Sequence, residues 1–205
     1  MNAPFRIAVM ISGEGTGLQN LIDRIGDGRL QGVEIALVIS SRADARGVDR
    51  ADRAGLATRI IRAADFPDAR TFGEAIAAAL EEANVDLAVQ AGWLCFWQVP
   101  RRWLGRVINI HPALLPKYGG KGFYGRHVHE AVIAAGDEQS GATVHWVDNQ
   151  YDHGEIIEQR TCSVESGDTP EHLATRVQAV EFELLPNVIS KIARAQRTES
   201  AIEKA

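Results

Sequence analysis

The segment from Asn109 to Pro116 places an amide, an imidazole and two prolines directly after an apolar run that predicts a buried strand. Asn109 and His111 are two residues apart, so on an extended backbone their side chains point the same way. Pro112 fixes its own φ and keeps His111 out of the helical region. A hydrogen-bond donor beside a group that exchanges protons near neutral pH suits acyl or formyl transfer, in which an oxyanion develops.

A carboxylate for this imidazole is available at Asp152, in the connection between two predicted strands. If the two side chains pair, Asp152 favours the imidazolium form and raises the pKa of His111. Two simpler interpretations stay open. In these, His111 is a core histidine bonded to the backbone, and Asp152 is a turn-forming residue before Gly154.

A glycine-rich loop from Ser12 to Gly17 follows the first predicted strand and precedes a predicted helix. Backbone N–H groups at such a helix start can hold a phosphate, although a tight turn without a ligand is an equal alternative. The loop is not a dinucleotide fingerprint, because Leu18 stands where G-x-G-x-x-G needs its last glycine. Arg42 could still contact an NADP 2′-phosphate, so an NADP-dependent oxidoreductase is the alternative from a different class.

The remaining candidate groups carry weaker signals. His127 and His129 have ligand-like spacing, but no Cys or acidic residue stands at a matching interval, so we predict no metal site. His145 is interpreted as a residue packed behind the site. A group of aromatic residues suits either stacking on a flat heterocycle or core packing. These residues are Trp93, Phe96 and Trp97.

The composition bounds the class of protein. The chain has 205 residues, a net charge of −5 and a pI near 5.7, with 45% hydrophobic and 24% charged residues. This is typical of one soluble globular domain, which we place over 1–205 with a frayed tail at 196–205. The acidic balance argues against a nucleic-acid interface. Two cysteines outside any C-x-x-C pattern indicate a reducing cytoplasm, and neither a membrane span nor a signal peptide is expected.

Strands and helices alternate over the first half of the chain, which favours an α/β fold with a Rossmann-like, mostly parallel sheet and helices on both faces. The strands of this part are predicted at Arg6–Ser12, Val33–Ser40, Thr58–Ile61, Val85–Gln90 and Val107–Ile110. The helices are predicted at 18–25, Ala43–Ala54 and Thr71–Ala83. The second half is predicted to hold a loop at Tyr118–Gly125, a short helix at His129–Ala135, a C-terminal antiparallel strand pair at Thr143–Val147 and Glu155–Val164, and a helix from Pro170 to about Ala195.

Several of these motifs occur together in one known family. The match runs from about Ile7 to Ile192 and is strongest in the segment from Asn109 to Pro116. The other matching elements are Ile11-Ser12-Gly13-x-Gly15, Ser41-Arg42-Ala43-Asp44-Ala45, Val144-His145 and Asp152-x-Gly154. On these motifs the chain resembles the phosphoribosylglycinamide formyltransferase family, whose members use folate and act in purine synthesis.

The resemblance implies transfer of a formyl group from 10-formyltetrahydrofolate, as co-substrate, to the amine of glycinamide ribonucleotide, without a metal. The residues that match the catalytic group of the family are Asn109, His111 and Asp152. Those that match its phosphate-binding group are Gly13, Gly15, Thr16, Gly17, Gln178 and Glu181. Those that match its folate and glycinamide clefts are Gly92, Leu94, Cys95, Phe96, Trp97, Pro112 and Asp148. We expect small-molecule partners, neither nucleic acid nor membrane, and a monomer or homodimer.

The chain departs from the family pattern at three places. The phosphate loop has Glu14 and Gly17 where Asn is common, and we expect Glu14 to point to solvent because it would repel a phosphate. Cys95-Phe96-Trp97 replaces a more usual Arg-Ile-Leu, which alters the folate contacts. The loop from Tyr118 to His129 is longer and rich in glycine, and is expected to act as a mobile lid or as an altered substrate wall.

Other interpretations differ in what they require. Methionyl-tRNA formyltransferase would add a C-terminal β-rich domain and a basic surface, and formyltetrahydrofolate hydrolase would add an N-terminal regulatory domain, so we expect neither. Sugar-nucleotide N-formyltransferases have a similar core and stay open. A binding module without catalysis is disfavoured, because Asn109, His111 and Asp152 are all present.

Overall fold

Strands and helices alternate in the computed structural model of the chain, which describes residues 3–202 and the side chains of residues 3–198. The strands are β1 (Phe5–Ile11), β2 (Val33–Ser40), β3 (Thr58–Ile60), β4 (Leu87–Gln90), β5 (Val107–His111), β6 (Gln139–Trp146) and β7 (Ile156–Ser163). The helices are α1 (Thr16–Gly26), α2 (Arg46–Arg53), α3 (Ala69–Glu82), α4 (Arg126–Ala135) and α5 (Pro170–Ile202). Each predicted strand and helix is found, with shifted ends in several cases.

The seven strands form one sheet in the order β3-β2-β1-β4-β5-β6-β7. The first five strands run parallel to their neighbours, whereas β6 is antiparallel to β5 and β7 is antiparallel to β6. The predicted Rossmann-like sheet with a C-terminal antiparallel pair is therefore confirmed. The chain order reverses between β1 and β4, and open parallel sheets bind ligands beyond the carboxyl ends of the strands at such a point.

A hydrophobic core covers each face of the sheet. Along β1, Ile7 and Val9 pack with α1 and α5 in one core, while Ala8 and Met10 pack with α3 in the other. This division follows from the alternation of side chains along a strand. All four side chains are fully buried, as expected for a sheet that is covered on both faces. The prediction of helices on both faces is confirmed.

Two helices begin at different residues than the sequence predicts. α4 begins at Arg126 and not at His129, directly after Gly125, whose φ of 52° and ψ of −131° suit glycine. α2 begins at Arg46 and not at Ala43, because the residues that follow β2 form a hydrogen-bonded turn. Both shifts concern loops whose geometry the hydrophobic pattern does not report.

Two further boundaries lie outside the predicted ranges. β6 begins at Gln139 and not at Thr143, because antiparallel pairing with β7 recruits polar residues that carry no strand signal of their own. α5 continues to Ile202 and does not end near Ala195. The predicted frayed tail at 196–205 is therefore helical as far as the structure describes it, and its last residues lie outside the described part. Within the described residues, no helix is both long and apolar enough to cross a membrane.

Candidate active site

The side chains of Asn109, His111 and Asp152 meet at the carboxyl end of β5. Nδ1 of His111 lies 3.6 Å from Oδ1 of Asp152, and Nδ2 of Asn109 donates to the same oxygen at 3.4 Å. The imidazole is buried, with 4% of the residue exposed. The structure thus brings the three predicted side chains into one cluster. Their catalytic roles stay predictions.

Thr143 holds the turn that follows His111. It lies opposite His111 in the pairing of β5 and β6. Its hydroxyl donates to the carbonyl oxygen of Ala113 at 2.6 Å and accepts from the N–H of Leu115 at 3.1 Å. The proline-containing segment is therefore fixed by a buried side chain as well as by Pro112 itself.

His145 belongs to the cluster, although the sequence analysis interpreted it as a residue packed behind the site. It lies opposite Asn109 in the β5–β6 pairing. Its Nδ1 donates to the carbonyl oxygen of Trp146 at 2.9 Å, so its Nε2 accepts from Nδ2 of Asn109 at 3.1 Å. The same Nε2 lies 3.6 Å from Oδ1 of Asp152. The sequence analysis did not find this contact, because it depends on the register of β6 against β5.

The protonation of His111 differs from the expectation. Its Nε2 donates to the carbonyl oxygen of Tyr118 at 2.8 Å, which leaves Nδ1 facing Asp152. Burial lowers the pKa of His111, and this effect outweighs the opposing effects of the Asp152 carboxylate and the Tyr118 carbonyl. The expected net rise in pKa is therefore wrong, because desolvation penalises the imidazolium more than its neighbours stabilise it. Neutral imidazole with its proton on Nε2 is the resting form near pH 7.

Asp152 is held as a carboxylate by its neighbours. Its backbone has a φ of 50°, in the left-handed region, and its Oδ2 accepts from the N–H of Gly120 at 2.9 Å. Burial raises the pKa of Asp152, but the contacts with His145, His111 and Gly120 together outweigh burial and leave the pKa below its ordinary value. A base that is ionised at neutral pH therefore stands beside a neutral imidazole.

Two glycines close to Asp152, in space or in sequence, stand where a side chain would clash with its neighbours. A Cβ on Gly119 would lie 2.5 Å from Cδ2 of Leu115 and 3.2 Å from Cβ of Asp152. A Cβ on Gly154 would overlap the carbonyl oxygen of Trp146. The long glycine-rich loop thus packs on Asp152 and bonds to it through Gly120, so it forms part of the site wall.

The predicted phosphate loop joins β1 to α1. Gly15 is the residue before the helix and has a φ of 68°, in the left-handed region that glycine adopts without strain. Because glycine has no side chain to cap the helix, the N–H groups of the first turn stay available to an anion. Ser12 Oγ accepts from the N–H of Leu94 at 2.9 Å, which ties this loop to the turn after β4.

Glu14, the acid within this loop, turns outward. Its carboxylate lies 3.3 Å from Nη1 of Arg46 on α2, and 61% of its side chain is exposed. Nε of Arg50 donates to the carbonyl oxygen of Glu14 at 2.8 Å. The expectation that Glu14 points to solvent is confirmed.

Of the two predicted residues of α5, Gln178 contacts this loop from the other side, and Glu181 lines the same cavity. Nε2 of Gln178 donates to Oγ1 of Thr16 at 3.2 Å, at the first residue of α1. Glu181 lies one turn further along α5, where burial raises its pKa to about 7. The carboxyl of Glu181 therefore holds its proton to a higher pH than an exposed glutamate does.

One cavity of about 570 Å³ connects these groups. Its wall includes every residue that the sequence assigned to the catalytic, phosphate-binding and folate groups. The volume is in the range of pockets that bind small organic molecules. The wall also contains residues that the sequence analysis did not assign to the site. Among them are Asn20, Phe123, Tyr124, Arg126, His129 and His145.

The aromatic residues after β4 divide between core and cavity. Trp93 stacks on Phe72 of α3 with ring centroids 6.1 Å apart, and both Trp93 and Trp97 are almost fully buried. Phe96 is exposed at the cavity mouth, where its ring lies 5.1 Å from that of Tyr151. Core packing therefore accounts for most of the two indoles, and Phe96 is the ring that a ligand can reach.

The histidines considered as metal ligands do not come together. Within the part of the chain that the structure describes, no three His, Cys, Asp or Glu side chains form a group that could hold a metal ion. His129 lies in the cavity wall, and burial lowers its pKa, with a smaller contribution from His111. That the reaction needs no metal stays a prediction.

Comparison with known proteins defines the class. Residues 5–189 match the formyl transferase family, and this chain belongs to that family. Among curated proteins, it is 41% identical over 204 residues to the trifunctional purine biosynthetic protein adenosine-3 of Drosophila pseudoobscura pseudoobscura and 37% identical over 190 residues to that of Homo sapiens. These alignments cover 97% and 92% of this chain, which spans only 14% and 18% of the length of those two proteins.

Two solved structures support this assignment, and this chain covers most of the length of each. The glycinamide ribonucleotide transformylase 1 of Symbiobacterium toebii has a TM-score of 0.84 at 37% identity, covering 95% of this chain and 90% of that one. The phosphoribosylglycinamide formyltransferase of Coxiella burnetii, in complex with CHES, has a TM-score of 0.83 at 39% identity, covering 94% and 88%.

Proposed function

We propose that this chain transfers the formyl group of 10-formyltetrahydrofolate to the amine of glycinamide ribonucleotide, in de novo purine synthesis. The observation that carries the proposal is the contact of Asn109, His111 and Asp152 in a cavity that also reaches the first turn of α1. An amine acceptor that carries a phosphate needs a proton-accepting group and an anion site in one cavity. The family match and the names of the relatives support the same reaction.

The phosphate of the acceptor is assigned to the start of α1. Its ligands are the N–H groups of the loop, with help from two side chains of α5; the residues are Gly13, Gly15, Thr16, Gly17, Gln178 and Glu181. With a pKa of about 7, the carboxyl of Glu181 can donate a hydrogen bond when protonated. A fully ionised carboxylate there would instead repel the phosphate.

The folate is assigned to the part of the cavity beside the turn after β4. The residues assigned to it are Gly92, Leu94, Cys95, Phe96, Trp97, Pro112 and Asp148. Gly92 has a φ of 86° and open space where a Cβ would be, so a flat heterocycle can approach the backbone. Phe96 and Tyr151 offer ring surface at the mouth. The co-substrate supplies an activated formyl group, bonded to an aniline-type nitrogen.

His111 is proposed to move the proton. Its neutral Nδ1 takes a proton from the attacking amine as the new carbon–nitrogen bond forms, and Asp152 stabilises the resulting imidazolium at 3.6 Å. The proton then passes, through water, to the folate nitrogen as its bond to the formyl carbon breaks. Placed acid–base catalysis of this kind is worth about 10²–10⁴ in rate.

Asn109 is proposed to stabilise the charge that develops on the formyl oxygen. Its Nδ2 donates to His145 at 3.1 Å and, over a longer 3.4 Å contact, to Asp152. Release of the longer contact frees one N–H for the formyl oxygen while His145 keeps the amide oriented. Loss of one such donor typically costs about 2.7–4 kcal/mol of transition-state stabilisation.

The remaining parts of the proposal concern the context of the enzyme. We infer one formyltransferase domain over 1–205, acting in the cytoplasm as a monomer or homodimer, without metal and without nucleic-acid partners. The acidic net charge of the chain supports the absence of nucleic-acid partners. Its two cysteines, which lie outside any C-x-x-C pattern, support a cytoplasmic location.

The test is a formyl-transfer assay on the purified chain. Release of tetrahydrofolate from 10-formyltetrahydrofolate is followed with and without glycinamide ribonucleotide, and with an amino-sugar nucleotide in its place. We expect turnover that depends on glycinamide ribonucleotide. Turnover with the amino-sugar nucleotide alone, or tetrahydrofolate release that needs no acceptor, would contradict the proposal.

A further inference from the structure

The cavity wall carries an unusual charge balance for a site that binds anions. Of the described residues that line it, Arg126 is the only lysine or arginine. Four carboxyl groups face the same cavity; they are Asp148, Asp152, Glu171 and Glu181, whereas the carboxylate of Glu14 is turned outward to Arg46. A phosphate ester must therefore be held against an acidic background, and a single cation is in a position to offset it.

Arg126 is positioned by the glycine-rich loop. It is the first residue of α4, directly after Gly125. Its guanidinium pairs with Glu130 at 2.6 Å and with Glu171 on the first turn of α5. All three side chains are largely exposed, between 43% and 63%, so these ion pairs are weak and readily exchanged.

The face of α5 connects Arg126 to the phosphate loop. Glu171, the partner of Arg126, and Gln178, the partner of Thr16, are seven residues apart, which is about 10 Å along a helix. Both line the cavity. A long arginine side chain that leaves Glu171 can therefore move along this face towards an anion bound at the start of α1.

The other cations near the phosphate loop are already placed on its outer side. Arg46 pairs with Glu14, and Arg50 donates to the carbonyl oxygen of Glu14 and to Oε1 of Gln19. Neither belongs to the cavity wall. They neutralise the acid within the loop but do not face a ligand in the cavity.

The loop before Arg126 has the backbone freedom that a closing movement needs. Gly120, Gly122 and Gly125 all have positive φ, at 95°, 98° and 52°, and none has an atom within 4 Å of an added Cβ. Three such glycines in six residues allow the segment to change shape without steric cost.

We propose that Arg126 is a phosphate-binding residue: it exchanges its ion pair with Glu171 for the phosphate of the acceptor and brings the glycine-rich loop over it. The guanidinium suits a phosphate because it offers two parallel N–H donors. The proposal rests on the proposed function for the identity of the acceptor. Glu171 then acts as a competitor of the phosphate in the free enzyme.

Three variants separate binding from a purely structural role of this ion pair. Arg126→Gln should raise KM for glycinamide ribonucleotide about tenfold or more, with KM for the folate unchanged. Glu171→Gln should lower KM for glycinamide ribonucleotide about two- to fivefold, because it releases Arg126 from an exposed pair. Lys117→Gln removes a cation that pairs with Asp137 at the other end of the loop, outside the cavity, and should leave that KM unchanged.

The opposite pattern would overturn the proposal. If the ion pair only anchors the loop, Arg126→Gln and Glu171→Gln raise KM together, and Lys117→Gln follows them. Calorimetry with ribose 5-phosphate keeps the outcome separate from the identity of the acceptor. Binding of this probe that weakens in Arg126→Gln supports the phosphate role even if glycinamide ribonucleotide is not a substrate, whereas equal binding by wild type and Arg126→Gln contradicts it.

Discussion

Asn109 and His145 face each other across β5 and β6, with Nδ2 of the amide 3.1 Å from Nε2 of the imidazole. Since Nδ1 of His145 donates to the carbonyl oxygen of Trp146, Nε2 is an acceptor and fixes the amide with its N–H₂ towards the cluster. The orientation of the proposed oxyanion donor thus depends on a residue of the neighbouring strand. His145 is a positioning residue in this account.

Replacement of His145 should therefore slow the reaction without weakening binding. His145→Ala leaves the amide of Asn109 free to rotate, and we expect kcat to fall about tenfold or more while both KM values stay within about twofold. His145→Gln supplies an acceptor oxygen and should recover part of the loss. Equal kcat in His145→Ala and wild type, or equal losses in both variants, would contradict the positioning role.

Asp152→Asn should lower kcat by about 10²–10⁴ with the fold preserved. The amide keeps the shape of the side chain but no longer stabilises the imidazolium of His111, and Asp152 is the main neighbour that opposes the effect of burial on the pKa of His111. Steady-state kinetics and circular dichroism measure the two quantities. Turnover like that of wild type in this variant would remove Asp152 from the mechanism.

The sequence predicted the parts of the site that lie on one strand or one loop. The shared direction of Asn109 and His111 follows from strand alternation and a proline, and the loop between β1 and α1 follows from its glycines, whereas phosphate binding by that loop stays a prediction. His145 could not be assigned in this way, because its contact with Asn109 depends on the register of β6, whose first residues are polar. Register is set by pairing and not by the residues of one strand.

The sequence could not predict the direction in which the pKa of His111 shifts. Pairing of Asp152 with His111 was anticipated, but the sign of the pKa shift depends on how deeply the ring is buried. Likewise, the contact of Gly120 with Asp152 follows from the path of a long loop that the sequence leaves open. Burial and loop paths are properties of the assembled fold.

Gly119→Ala should disturb catalysis more than stability. The added Cβ would press on Leu115 and lie 3.2 Å from Cβ of Asp152, which must move by a few tenths of an ångström. We expect kcat to fall about three- to tenfold, since small displacements of reacting groups have large effects. Gly26→Ala, at a helical position with open space around it, is the matched control and should leave kcat unchanged. Unchanged kcat in Gly119→Ala would show that the loop yields without moving Asp152.

Glu181→Gln should change how stability depends on pH. Burial raises the pKa of this carboxyl from 4.5 to about 7, so the native state holds its proton more tightly than the unfolded state. Stability is therefore lost as pH rises from about 4.5 through 7, and the variant, which has no charge to bury, escapes this loss. The difference in melting temperature between Glu181→Gln and wild type should therefore be more positive at pH 8 than at pH 5. Each kcal/mol gained in the free energy of unfolding corresponds to about 2–4 °C. The same difference at both pH values would contradict the burial of a titrating carboxyl.

The most direct measurement of the central claim uses His111→Ala. Binding of glycinamide ribonucleotide is measured by calorimetry, and formyl transfer is measured in a single turnover with saturating 10-formyltetrahydrofolate. Because the ring is proposed to move a proton and the phosphate is assigned to the start of α1, we expect a dissociation constant within about threefold of wild type and a transfer rate lower by about 10² or more. A rate close to that of wild type, or lost binding in a folded variant, would contradict the account.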